Sequence, residues 1–353
     1  MTVPTPVRRA SVRKAPLSLA DRLFSTGDDR RTARLIEDAI DGLEARLVVE
    51  TRFSAGLVDA VARYLLDAGG KRVRPILAFL TAQLGQGITD EVVTAAASIE
   101  LTHLASLYHD DVMDDADQRR GVPSAQYKWG NSVAILTGDL LFARASALLA
   151  QLGERAIRLQ ADTFERLCLG QLQETIGPGP DDDQVEHYLR VLSDKTGSLI
   201  AASAQLGVIF SGADSRYEQP VREFGEKVGI AFQLVDDVID IAPSDDDSGK
   251  TPGTDIRAGV ATLPVLYLRT EAETDAEAAS LLARLTPEAL AAAGEEGSNE
   301  TIRLLREHAV TRRTNDEARR YAREAIAALD PLPSGTVKKT LVRFAETVVD
   351  RTN

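Results

Sequence analysis

The sequence predicts an all-α protein built as one compact helical bundle. Three observations carry that reading. Nearly every ordered stretch spaces its apolar residues three and four apart, the period of a helix with one buried face. No stretch sustains the apolar/polar alternation of a half-buried strand. The turn signals between periodic stretches are short, so few connections exceed about a dozen residues, which argues against separate modules on linkers.

The elements follow in order. Met1 to Ala15 carries Arg8, Arg9, Arg13 and Lys14 without an apolar segment, so it lacks the pattern of a secretory signal. The expectation is a disordered basic arm over residues 1–18, ahead of a helical domain over 19–353. A weak tether to anionic lipid is the other reading of the arm. Thr32–Val49, Phe53–Ala68, Arg74–Leu84 and Thr89–Asp115 read as helices rich in Ala and Leu. Asn131–Leu152, Glu154–Ile176, Val185–Phe210 and Val221–Ile241 do the same. Gly69-Gly70, Gly85-Gln-Gly87, Gly177-Pro-Gly-Pro180 and Ser211-Gly212 punctuate them. The one long polar loop, Pro243 to Asp255, holds Gly249, Lys250, Pro252 and Gly253, and is expected to be a mobile flap. Thr274–Asn353 is charged, Ala-rich helix of weaker amphipathicity, expected to be a structural cap.

Composition narrows the function. The chain has 353 residues, 44% of them apolar, enough for a sizeable core. A net charge of −13 argues against nonspecific nucleic-acid binding. A single cysteine, Cys168, excludes an intrachain disulfide, which fits a reducing cytoplasm. Polar residues interrupt the apolar stretches before about 18 positions, so no membrane span is expected.

The chemistry concentrates at His103-Leu-Ala-Ser-Leu-Tyr-His-Asp-Asp-Val-Met-Asp-Asp-Ala-Asp-Gln-Arg-Arg-Gly121, where an apolar helix ends in acid. On a continued helix Asp110, Asp114 and Asp117 would project together, with Asp111 and Asp115 beside them. Like charges at that spacing each cost about 0.2–0.5 kcal/mol, so a helix built for stability alone would avoid them. Divalent cations make sense of the pattern, and Mg²⁺ suits carboxylates with positions left for phosphate and water. Phe232-Gln-Leu-Val-Asp-Asp-Val-Ile-Asp240 repeats the Asp-Asp-x-x-Asp spacing at Asp236, Asp237 and Asp240. Two solvated acidic helix ends would look the same by spacing, but the apolar flanks put these carboxylates at the edge of a core.

Cations answer the acids. Gly69-Gly-Lys-Arg-Val-Arg-Pro75 opens a helix with Lys71, Arg72 and Arg74, a start that favours anions. Asp194-Lys-Thr-Gly197 is a second small cationic turn. His103 lies two turns before Asp110 on the same face, either a structural histidine or a phosphate contact. No Walker-type loop or serine-nucleophile motif accompanies them, nor the two Glu-x-x-His motifs a di-iron site needs, since that spacing occurs at Glu100–His103 alone. The sum suggests metal-assisted handling of two diphosphates in an apolar helical cavity.

These motifs, in this order, resemble the trans-type polyprenyl diphosphate synthases. The resemblance covers roughly Ala68 to Leu268. It rests on Gly70-Lys-Arg-Val-Arg-Pro75, His109-Asp-Asp-Val-Met-Asp114 with Arg119-Arg-Gly121, Gly170-Gln-Leu-Gln-Glu174, Lys195-Thr-Gly197, Phe232 to Asp240, and Gly249-Lys250 with Gly253-Thr-Asp255. It implies the isoprenoid synthase fold, a single-domain bundle around a deep central cavity, usually as a homodimer. It implies that Asp110, Asp111, Asp114, Asp236 and Asp240 hold Mg²⁺, three ions per site, with Asp237 and Lys195 among the catalytic set. Arg119, Lys195, Thr196, Gln233 and Lys250 would contact an allylic diphosphate primer, and Lys71, Arg74, His103 and Arg120 isopentenyl diphosphate. Val260 departs from the pattern: many members place a lysine there. Ala105 and Ser106, five and four residues before Asp110, are small where short-chain members carry an aromatic floor. A turn rises about 5.4 Å, roughly one prenyl unit, so a long product is expected, on the order of thirty to fifty carbons. A quinone side-chain precursor such as one for menaquinone would fit, made in the cytoplasm with at most peripheral contact at the inner face of the membrane. A shorter geranylgeranyl-type synthase, a class I terpene cyclase and a non-catalytic partner subunit are the competing readings. The cyclase would not need Lys71, Arg74 and Arg120.

Overall fold

The computed structural model of the protein describes residues 30–54, 56–242 and 252–350. The basic arm, the proposed boundary at residue 19 and most of the long loop, Lys250 included, lie outside the described residues. The architecture is all-α, as the periodicity requires. In chain order the helices are α1 Arg30–Glu50, α2 Gly56–Asp67, α3 Val73–Ala82, α4 Asp90–Met113, α5 Ala125–Trp129, α6 Asn131–Ala150, α7 Glu154–Ile176, α8 Gln184–Leu192, α9 Ser198–Phe210 and α10 Glu218–Asp240. After the long loop come α11 Thr254–Arg257, α12 Leu263–Ala272, α13 Ala276–Arg284, α14 Pro287–Glu307, α15 Ala309–Ala328 and α16 Thr336–Val349.

Helix α4 is the axis of the bundle. Thr89 caps it by accepting a hydrogen bond from Val92 N, and Asp90 and Glu91 complement the positive end of its dipole. Most of its length is buried, and it packs most extensively along α6. The main core joins α1–α4, α6, α9, α10, α15 and α16. A second cluster gathers α8, α10 and α12–α15. A third, smaller one lies between α4, α6, α7 and α9, built from Ala95, Ile99, Leu149, Leu167, Leu199 and Leu206 among others.

Four features differ from the sequence expectation. Gln118–Arg119 and Val122–Pro123 form a two-residue hairpin, β1 and β2, too short for alternation to reveal. Arg120 and Gly121 turn it with φ of 54° and 76°, the doubly left-handed turn that matches strand twist. The expected helix Val185–Phe210 is broken by a wide π-type turn at Ser193–Gly197. The C-terminal third is more than a cap. Helix α15 runs along α10 and buries Val310, Thr314, Ala318, Ala322 and Ala325 at helical spacing. Small residues allow that close approach while scoring weakly on hydropathy, which explains the faint amphipathic signal. Finally, α6 is long and apolar enough to cross a membrane by length and composition, the one such helix among the described residues. It packs on α4 and turns Ile135 and Leu136 outward.

Candidate active site

The first acidic motif ends α4 and the second ends α10, so both carboxylate groups stand at the negative pole of a helix dipole. That placement costs about 0.3–1 kcal/mol per charge and favours cations there. The helix does not continue through the first cluster as the spacing suggested. Asp114 closes α4, its N–H donating to Asp110 O at 2.8 Å, and Asp115 turns left-handed at φ 48°. Asp117 therefore leaves the shared face for the hairpin, where its carbonyl accepts from Ser124 N. Asp tolerates the left-handed conformation better than most residues, and extending a run of carboxylates past the helix end would add to the repulsion.

His103, Leu107 and Asp110 are half-buried and Asp114 exposed, and together they form one open stripe of α4. Burial pushes the Asp110 carboxyl up to about 6, with Lys195 opposing and Asp114 reinforcing. Asp111 is fully buried and accepts from Arg119 Nε at 2.6 Å. Its second oxygen, Oδ2, is buried without a hydrogen-bond partner among the described residues. On α10, Gln233, Asp236 and Asp240 share a half-buried face. Asp240 accepts from the backbone N–H groups of Thr254 and Asp255 at 3.2 Å each. Asp237 points elsewhere. Buried, it accepts from Tyr188 Oη at 2.7 Å and Leu263 N at 3.3 Å, and burial raises its carboxyl to about 7.

The two ends are linked through a short series of charged side chains. Lys195 Nζ lies 2.5 Å from Glu174 Oε2 and acts on Asp110 from the other side. Asp255, held at Asp240, has its carboxyl pushed up by burial and then by Asp114 and Glu174. The chain Asp110–Lys195–Glu174–Asp255–Asp240 therefore spans from one motif to the other. Among the described residues no three His, Cys, Asp or Glu side chains converge on one point. All-oxygen donors that line a cleft without caging an ion suit a hard divalent cation that shares its shell with phosphate and water, and the partnerless Asp111 Oδ2 fits the same ligand class.

A second, basic region adjoins the first motif. Arg74, half-buried, is pushed down to about 10 by burial and by Arg120 against Glu100, and its Nε has no hydrogen-bond partner among the described residues. Arg120 donates from Nη1 to Leu65 O at 2.7 Å and to Gly69 O. His103 is held well below the ordinary imidazole range by burial, then by Arg74, Arg120, Arg72 and Arg119. Lys71 is exposed beside them. Gly70 serves close approach to guanidinium: a Cβ there would lie 2.7 Å from Arg72 Nη1 and 3.1 Å from Arg120 Nη2, while Gly69 takes the left-handed turn at φ 89°. Arg72 is turned inward at φ 48° onto Glu44 and Glu100.

The fold thus links Asp110 and Asp114 to Asp240 through Lys195, Glu174 and Asp255, pairs the buried Asp111 with Arg119, and groups Arg74, His103 and Arg120 in the basic region, while Thr196 follows Lys195 in its turn and Gln233 and Asp236 share the half-buried face of α10 with Asp240. Of the chain-length pair, Ser106 borders the open stripe and donates to His103 O at 2.9 Å. Ala105 is fully buried in the main core. At 100° per residue it lies roughly opposite Asp110 on α4, so the two residues do not share a role. Glu100, Glu174, Asp255 and Tyr188 received no role from the sequence. Glu174 and Asp255 sit inside quoted motifs and could have been found there. Glu100 is an acid in an apolar run, and Tyr188 gave no signal.

The sequence matches the polyprenyl synthetase family over residues 56–293. A nonaprenyl diphosphate synthase of Mycobacterium tuberculosis is 41% identical over 96% of this chain and 97% of its own length. The chain belongs to the polyprenyl synthetase family. It is a prenyltransferase, with curated relatives on the long-chain branch. Among solved structures, a geranylgeranyl pyrophosphate synthase of Corynebacterium glutamicum, complexed with calcium and isoprenyl diphosphate, superposes with a TM-score of 0.79 at 41% identity, covering 92% of this chain and 98% of that one. A decaprenyl diphosphate synthase of Rhodobacter capsulatus superposes with a TM-score of 0.82 at 29% identity, covering 92% and 99%. These relatives carry the same all-helical architecture, and the calcium complex agrees with divalent-metal use by the family.

Proposed function

We propose that the protein condenses isopentenyl diphosphate with an allylic diphosphate to make a long-chain all-trans polyprenyl diphosphate, a precursor of a quinone side chain. The observation that carries the reading is the linking of two carboxylate-ended helices through Lys195, Glu174 and Asp255, with a separate arginine–histidine cluster beside the first. One acidic cleft and one basic pocket suit two diphosphates with different tasks.

In this reading Asp110, Asp111 and Asp114, with Asp236 and Asp240, hold Mg²⁺, three ions with substrate bound. When bound, the metal neutralises and orients the leaving diphosphate. Arg119, Lys195, Thr196 and Gln233 bind the same diphosphate, and Lys250, outside the described residues, belongs to the set. The cations Arg119, Lys195 and Lys250 would stabilise the negative charge that develops on the diphosphate as the C–O bond breaks, and Thr196 and Gln233 would donate hydrogen bonds to it. Apolar walls shelter the allylic cation from water. Lys71, Arg74, Arg120 and neutral His103 orient isopentenyl diphosphate so that its double bond attacks that cation. The departed diphosphate takes the proton lost from the new unit, so no side-chain nucleophile is needed.

The growing tail would descend from Asp110 past Ser106 toward Ile99 and Ala95 in the third apolar cluster. On this route the tail would pass Ser106 beside Leu107 and His103, with Ile99, eleven residues or about 16 Å below Asp110, at its lower end. A geranylgeranyl-length product is the second reading, favoured by the 41% identity to the Corynebacterium enzyme. A homodimer would cover the outward apolar residues of α6 and α7, among them Ile135, Leu136, Leu169, Leu172 and Ile176. The net charge and the single cysteine support a cytoplasmic setting with at most peripheral membrane contact. Incubating the purified protein with labelled isopentenyl diphosphate, farnesyl diphosphate and Mg²⁺ tests the reading. Linear products of thirty carbons or more support it, twenty carbons support the second reading, and a cyclic hydrocarbon or no turnover overturns both.

A further inference from the structure

The turn that carries Lys195 and Thr196 is unusual backbone. Ser193–Gly197 opens from the α-helical repeat to the wider π-type repeat, with Ser198 N donating to Ser193 O. Such turns are rare inside helices and persist where the surroundings hold them. Here the surroundings are specific. Arg166, on α7, donates from Nε to Asp194 Oδ1 at 2.7 Å and from Nη2 to Ser193 Oγ at 3.1 Å, both in the turn. The same Nη2 donates to Glu226 Oε1 on α10, which also accepts from Ser193 Oγ at 3.1 Å. One guanidinium therefore ties the turn to α7 and to α10, the helix that bears the second acidic motif.

The backbone is fitted as tightly. A Cβ on Gly170 would lie 2.8 Å from Lys195 N, and one on Gly229 would lie 2.7 Å from Gly197 Cα. The turn is seated between α7 and α10 with no room to shift, and Arg166 fixes its rotation. Rotation matters because Lys195 reaches Glu174 from this seat, with its charge turned toward Asp110. A turn relaxed to α-helical pitch would swing the lysine away from both.

We propose that Arg166 is a positioning residue for the allylic-diphosphate side of the site. It acts through the turn, holding Lys195 and Thr196 toward the cleft. A lysine could reach one of its partners but could not bridge both carboxylates with fixed geometry. The proposal rests on the assignment of Lys195 to the allylic diphosphate.

Steady-state kinetics of the full chain test it, with farnesyl diphosphate and isopentenyl diphosphate varied in turn. Arg166→Gln is expected to raise KM for farnesyl diphosphate about tenfold, the worth of one charge-assisted contact, while KM for isopentenyl diphosphate stays within about twofold. Arg166→Lys is expected to recover part of the loss. Asp194→Asn weakens the same tie from the other side and gives the same split if Arg166→Gln does not fold. Lys195→Ala serves as the reference. If it leaves KM for farnesyl diphosphate unchanged, the assignment of the site is wrong. If it raises that KM but Arg166→Gln and Asp194→Asn move both substrates equally, or neither, the positioning role is overturned.

Discussion

Arg72 Nη1 lies 2.8 Å from Glu100 Oε1, with the two side chains 5% and 3% exposed. Arg72 Nε also meets Glu44 Oε1 at 2.5 Å. This buried pair stands behind Arg74 and Arg120, and Glu100 is the carboxylate that offsets their mutual repulsion. Of the three cations that open α3, the middle one is thus structural, while Lys71 is exposed and Arg74 sits with Arg120 and Glu100. Arg72 keeps Glu44 when Glu100 is neutralised, but Arg74 and Arg120 lose the carboxylate that offsets them, and a buried charge left uncompensated costs about 3–5 kcal/mol. Glu100→Gln should therefore destabilise the protein by that order in denaturant unfolding. In whatever fraction folds, KM for isopentenyl diphosphate should rise more than KM for the allylic substrate.

The second acidic motif divides by side-chain direction. Asp236 and Asp240 share the cleft face, whereas Asp237 accepts Tyr188 Oη and Leu263 N through the same oxygen, Oδ2. Asparagine can place its carbonyl oxygen there and keep both bonds. Asp237→Asn should retain activity within about tenfold, while Asp236→Asn should lose about 10²–10³ in kcat, the scale for removing a transition-state contact. Equal losses from the two variants would show that the charge of Asp237 is itself used.

The two small residues before the first acidic motif should behave differently. Ser106→Phe narrows the path four residues below Asp110, so its products should be shorter by several prenyl units in mass spectrometry. Ala105→Phe forces a ring into a packed core, where overpacking costs about 1–3 kcal/mol, so its main effect should be a lower melting temperature. Unchanged product length in Ser106→Phe would place the tail elsewhere.

His103 makes folding stability depend on pH. Burial and four arginines hold its imidazole well below the ordinary value of 6.5. As pH falls below that value the unfolded chain takes up a proton that the folded chain refuses. Stability contributed by the neutral imidazole is therefore present above 6.5 and lost as pH falls toward the folded pKa, with a slope of up to about 1.4 kcal/mol per pH unit. His103→Asn should flatten the difference in unfolding free energy between pH 7 and pH 5. A parallel pH dependence in the variant would contradict the assignment.

Much of this was legible in the sequence, for physical reasons that also mark its limits. Helix positions follow from apolar spacing, and the acids stand out because a helix C-terminus disfavours them. The stop of α4 at Met113 was not legible, because it depends on Asp115 turning left-handed and on a hairpin of two-residue strands. The break at Ser193–Gly197 showed only as a cationic Gly-ended turn, because the glycines and the arginine that hold it open are on α7 and α10. Which of Asp236 and Asp237 faces the cleft is a matter of helix rotation, set by Tyr188 and Leu263 from distant segments. The amphipathicity of α15 was hidden because alanine and threonine can line a tight helix contact as well as leucine can line a loose one.

The central claim is that the ends of α4 and α10 grip metal and diphosphate between them. Crystals grown with Mn²⁺ and a non-hydrolysable allylic diphosphate analogue test it most directly, by anomalous scattering. The account predicts ions within about 2.0–2.4 Å of carboxylate oxygens from both Asp110 or Asp114 and Asp236 or Asp240, joined by the diphosphate. Ions bound to one motif alone, with the diphosphate elsewhere, would contradict it.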